Sequence, residues 1–183
     1  MSLAVTLLSY EHGILMQVID VLNAAVEQGK TERHRSHMAE VVRFLEVYMD
    51  QFHHGKEEQF LFPSVIRASP LLNAEIPRLI RDHQRARDLL TAMASGINSG
   101  DVHKFGDASK TLVEHMTAHI NKEEGEIFPR IEAVLATEEG RRLNKEYRDF
   151  NKHFAPDYYG KSEEFAKRVQ DEILGSNYFK KPG

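Results

Sequence analysis

The eleven residues HHGKEEQFLFP at positions 53–63 return without a gap as HINKEEGEIFP at positions 119–129. The shared pattern, H-x-x-K-E-E-x-x-[LI]-F-P, recurs at a spacing of 66 residues in a chain of 183. One copy alone would constrain little. Two copies in register demand a duplicated structural unit, so the chain around each must adopt the same local conformation. The repeated letters are also letters that ligate metals.

Proline and glycine divide the chain into four long segments separated by short polar stretches. The first covers about residues 7–28 and carries Leu15, Val18, Ile19, Leu22 and Val26 at helical spacing. The second covers about 38–62, with Val42, Leu45, Met49, Phe52 and Phe60, and is expected to stop at Pro63. The third covers about 73–97, with Ile76, Leu79, Ile80, Leu90 and Ile97 on one face. The fourth spans about 102–134, with Phe105, Ala108, Leu112 and Ile127, and Pro129 marks a kink or an interruption. Nothing alternates with period two. The expectation is an all-α, up-down-up-down four-helix bundle over residues 1–136. Residues 137–183 read as a C-terminal helical extension of two charged, amphipathic segments around Ala155-Pro156. Neither has a strong apolar stripe, so both are expected to pack on the outside.

Composition narrows the setting. Apolar residues make up 41% and charged residues 28%, values of a globular chain. The length suits one ordinary domain. A formal net charge of −4 favours neither nucleic acid nor an anionic membrane surface, and Lys180-Lys181 is too short a basic run to alter that. Cysteine is absent, which removes disulfides, thiolate metal sites and a cysteine nucleophile together. The N-terminal MSLAVTLLSYEHG has no basic n-region or cleavage site and reads as a helix start. No apolar stretch is judged to approach the roughly 18 residues of a membrane span. A cytoplasmic protein is the expectation.

Residues four apart on a helix share a face. His53 with Glu57 and His119 with Glu123 are such pairs, and His54 with Glu58 offers a second register in the first copy. The second copy decides between them, because Ile120 stands where His54 would. Glu58 and Glu124 then point to solvent or to an outer sphere. Counting by threes and fours puts both His/Glu pairs, together with His12 and His83, on the apolar stripes of their helices. Depth agrees as well. His53 and His119 each lie ten residues before a proline, His83 ten after Asn73, and His12 nine after Leu3. At ~1.5 Å per residue, all four imidazoles come ~15 Å from one end of the bundle. A lone histidine on such a face is usually a hydrogen-bonded core residue. Two buried carboxylates need compensation, since desolvating a charge is costly unless it is paired or bound to metal. Arg87 is the one basic stripe residue that could pair with a Glu.

Four imidazoles and two carboxylates exceed what one tetrahedral zinc takes. Two bridging carboxylates with two imidazoles per ion give four protein donors each around a dinuclear centre, leaving open positions. Mixed nitrogen and oxygen donors without thiolate suit iron, with manganese and zinc as competitors.

The set H…HxxxE…H…HxxxE, with KEExx[LI]FP in both copies, resembles the hemerythrin-like HHE cation-binding domain over about residues 6–134. That resemblance implies that His12, His53, Glu57, His83, His119 and Glu123 ligate two iron ions bridged by the two Glu and an oxo or hydroxo group, with zinc or manganese as substitutes. It implies a non-haem di-iron protein that binds or senses O2 or NO. Members with peroxidase- or catalase-like scavenging, or with iron donation to iron–sulfur cluster repair, supply the alternatives. The oxygen carriers of this family place a second histidine four residues after the one on the third helix, where this chain has Arg87. His115 reads as an outer-sphere or core residue, with a fifth nitrogen donor as the alternative, and His54 is a weaker candidate of the same kind. His34, His37, His103 and His153 are expected in solvent.

Overall fold

The computed structural model describes residues 3–69 and 72–179, so Lys180-Lys181 lies outside the described residues. Among the described residues the regular structure is helical throughout. Six rods follow one another: α1 (Leu3–Glu27), α2 (residues 35–68), α3 (Ile76–Ser99), α4 (residues 102–134), α5 (Thr137–Asn151) and α6 (Tyr158–Ile173).

Local chemistry sets the α3–α4 turn. Gly100 at φ 73° ends α3, and the Asp101 side chain accepts the Lys104 N–H at 2.9 Å to start α4. A Cβ on Gly96 would sit 2.7 Å from the Phe105 backbone nitrogen, so only glycine lets the two helices close this tightly.

The expectation that Pro63 stops the second helix is corrected. The rod continues to Ala68, and the fourth rod runs through Pro129 to Val134. In both, a wide π turn precedes the proline, at Glu57–Leu61 and at Glu123–Ile127. Phe62 N–H donates to Glu57 O, and Phe128 N–H to Glu123 O, each five residues back. Widening the turn carries the preceding carbonyls away from the pyrrolidine ring, so the proline stays inside the helix. Ahead of the first repeat, Leu45–His54 is π-helical as well.

Two apolar cores fill the interior. One gathers Leu15, Ile19, Leu45, Met49, Phe52, Ala86, Leu112 and Met116. The other gathers Leu8, Leu61, Phe62, Leu79, Ile127 and Phe128. Between them, on every one of the four long rods, lie buried polar side chains: His12 on α1, His53 and Glu57 on α2, His83 on α3, His119 and Glu123 on α4. Ile80, assigned to the core from the sequence, is instead 41% exposed.

The extension also departs from expectation. Leu143 and Tyr147 of α5 are wholly buried in the second core, and Ala166, Val169 and Ile173 of α6 belong to the first. Its apolar residues are few but all on one face, so it completes both cores. The reading that no stretch approaches span length is likewise revised. Leu3–Glu27 is long enough, with a mean hydropathy of 1.2 over its best window, 56% of which is buried inside the protein. Its inward face carries Glu11 and His12.

Candidate metal centre

The buried polar layer is built from helix spacing. His53 and Glu57, and His119 and Glu123, lie one turn apart on α2 and α4, while α1 and α3 each add one histidine. Glu57 Oε2 lies 3.7 Å from His53 Nε2 and 3.4 Å from His83 Nε2. Glu123 Oε2 lies 3.2 Å from His12 Nε2 and 3.3 Å from His119 Nε2. Each carboxylate therefore joins one histidine from each side of the layer. Two overlapping groups result, His12/His53/Glu57/Glu123 and His83/His119/Glu57/Glu123, and within each the donor atoms lie within 4.8 Å of one another. All six residues expected from the sequence are brought together.

The far side of three of the four rings is held by a carboxylate, and the fourth faces one. His12 Nδ1–H donates to Glu124 Oε1 at 2.6 Å, His53 Nδ1–H to Glu11 Oε2 at 3.0 Å, and His83 Nδ1–H to Glu58 Oε1 at 2.7 Å. His119 Nδ1 faces Asp82 Oδ2 at 3.9 Å. A carboxylate at Nδ1 keeps a proton on that nitrogen, so the inward-pointing Nε2 is the atom left to take a cation once any proton on it has gone. The four Nε2 atoms and both oxygens of Glu57 and Glu123 are buried with no hydrogen-bond partner. Polar atoms in a dry interior are ordinarily satisfied, and this ring of unpaired donors is what cation ligation requires. Arg87 does not supply the compensation. Its Nε donates to Asp50 at 2.6 Å and its Nη2 to Glu58 at 2.7 Å.

Electrostatics follow from the crowding. Burial, reinforced by the charge of Glu123, pushes Glu57 up. Burial pushes Glu123 up too, but His119, His12 and His83 outweigh it and hold Glu123 low. Burial opposes charge on His12 and His83, yet their carboxylate partners prevail, raising them to about 10 and about 9. Protons on these two rings supply part of the positive charge that two facing carboxylates call for. Burial drives His53 and His54 well below the usual imidazole range.

The hemerythrin HHE cation-binding domain description matches residues 3–131. The chain belongs to the hemerythrin HHE cation-binding family. An uncharacterized protein of Mycobacterium bovis and uncharacterized proteins of two Mycobacterium tuberculosis strains are each 24% identical to it over 149 residues, 76% of this chain and 57% of theirs. The chain thus spans less than two thirds of the length of these relatives. No solved structure matches it.

Several residues of this hemerythrin-family centre escaped the sequence reading. Glu11 is fully buried and takes Lys56 Nζ at 2.5 Å and the Tyr159 hydroxyl at 2.6 Å. Burial pulls Lys56 down to about 8, still protonated at neutral pH, so Glu11 sits in a buried ion pair. The one local signal is an acidic residue directly before the stripe histidine on both α1 and α3, Glu11-His12 and Asp82-His83. Tyr159 leaves no such trace. Glu58 and Glu124 occupy the outer sphere, one of the two places expected for them. His115 is tied to the Asp82 carbonyl through Nε2 at 2.8 Å, away from the centre. His103 and His153 are exposed as expected, whereas His34 and His37 are half-buried.

Proposed function

We propose that this protein is a non-haem di-iron protein that binds or senses a small diatomic molecule, O2 or NO. His12 and His53 would hold one ion, His83 and His119 the other, and Glu57 and Glu123 would span both. The observation that carries this reading is the set of unpaired, buried Nε2 and carboxylate atoms shared between two overlapping donor groups. Nitrogen and oxygen donors without thiolate favour iron over softer-ligand metals. Four protein donors per ion leave coordination places open, and bound iron would supply reversible ligand binding or redox chemistry there. The chain's own residues would keep each ring in its Nε2-basic tautomer, exclude bulk water with the two flanking apolar cores, and hold the two positions in register. The short connections and the common depth of the four histidines support an up-down-up-down bundle for α1–α4. We place the protein in the cytoplasm, acting without nucleic acid or membrane.

The test is an elemental count on protein expressed with ample iron, together with an optical spectrum before and after air. Two irons per chain and an oxo-to-iron band in the near ultraviolet are expected, and zinc alone would sink the reading. Glu57→Ala or Glu123→Ala should each lose most of the metal, whereas His115→Ala should keep both ions. Steady-state peroxide consumption by the iron-loaded protein would instead favour a peroxidase- or catalase-like scavenger, and ready loss of iron to a weak chelator an iron donor.

A further inference from the structure

A fifth histidine obeys the rule that governs the other four. His54 is wholly buried, and its Nε2 has no hydrogen-bond partner. Its Nδ1 faces a carboxylate, Asp50 Oδ1 at 3.7 Å, close to the spacing of His119 from Asp82. A donor atom of His54 lies within 4.8 Å of donor atoms of both His83 and His119. Its ring stacks on that of His83, with centroids 3.7 Å apart and planes 8° from parallel. Hydrophobic packing alone does not account for an imidazole with both nitrogens unsatisfied, since a buried polar atom without a partner is costly.

We propose that His54 is a ligand, giving the His83/His119 position a third imidazole and leaving the His12/His53 position with two. This rests on the dinuclear reading above. Arg87 is what makes the arrangement work. One face of its guanidinium binds Asp50, which faces His54, and another binds Glu58, which accepts from His83. The arginine on α3 thereby orients two imidazoles that stack on each other, and the third nitrogen comes from α2. The two ions are then inequivalent, and the His12/His53 position is the one with more open places. A depression at the surface adjoins the residues that contact His12. Its volume is about 260 Å³, and Glu124 and Phe128 floor it. These residues respectively accept from His12 and stack on its ring at 5.5 Å.

Proton NMR of the full chain loaded with cobalt(II) tests the assignment, because each ligating imidazole shows one strongly shifted, solvent-exchangeable Nδ1–H resonance. Five such resonances are expected in water and none after exchange into deuterium oxide. His54→Phe should remove one, and His54→Gln should remove the same one if the phenyl ring disturbs folding. His115→Phe should leave all five. Four resonances in the parent protein, or loss of the fifth through His115→Phe instead, would overturn the assignment while leaving the dinuclear centre intact. Absence of any shifted resonance would overturn the dinuclear reading itself, and this proposal with it.

Discussion

At the scale of single residues, the centre is a set of donors held by an outer ring of acids. Glu124 and Glu11 hold His12 and His53, while Glu58 holds His83 and Asp82 faces His119. Glu11 reaches from α1 to α2 and Asp82 from α3 to α4, so the duplication in the sequence reappears as a duplicated pattern of contacts. Replacing an acid by its amide keeps shape but weakens its hold on the Nδ1 proton. Glu58→Gln should therefore cost ~10–100-fold in metal affinity, read by competition with a chelator, and an unchanged affinity would deny the acid its orienting role. Lys56 has a different part. It is wholly buried over the Phe52 ring at 3.2 Å and neutralises Glu11. Lys56→Met would strand that carboxylate, and breaking a buried pair from one side costs about 3–5 kcal/mol. Urea unfolding of the metal-free variant measures it.

Among elements, the lesson lies in which contacts are local. Six donors and four rods could be read in advance because each donor pair spans one helical turn and each stripe repeats every three or four residues. The same rules misplaced the end of α2. They treat Pro63 as a stop, whereas the π turn at Glu57–Leu61 absorbs it, and a wide turn has no periodic signature. The extension was underestimated for a related reason. Leu143, Tyr147 and Val169 are isolated among charges, and their burial is set by surfaces on other helices, α1 at the far end of the sequence among them. Tyr159 is the sharpest case, since its hydroxyl donates to Glu11 across 148 positions and also accepts from Lys56 at 3.1 Å. The extension thus touches the centre through the acid that accepts from His53. Tyr159→Phe keeps the ring, which meets Phe52 edge-on at 5.5 Å, and deletes only the hydroxyl. The loss of a hydrogen bond to a charged group should cost about 1.5–3 kcal/mol, visible as a lower denaturant midpoint with an unchanged slope. A midpoint equal to the parent's would mean that α6 serves packing alone.

For the whole molecule, a polar stratum between two apolar cores couples folding to what fills it. Without metal, the facing Glu57 and Glu123 are compensated by protons on His12 and His83, whose values stand at about 10 and about 9 against an ordinary 6.5. The folded state therefore holds those protons where the unfolded chain has released them. Their contribution is full below pH 6.5 and declines as pH rises through the folded values. Burial acts in the same sense on Glu57 and Glu11, both pushed upward. Lys56, pulled down to about 8, works the other way only above that pH. The metal-free protein should thus lose stability steadily between pH 6.5 and 8, seen as a falling melting temperature by circular dichroism. Metal affinity should rise across the same window, because cations displace the imidazole protons. Calorimetric titration in two buffers of different ionisation heat would count the protons released on loading. A metal-free protein whose melting temperature climbed over that interval would show that His12 and His83 enter the fold neutral, and that the stratum is balanced by something other than their charge.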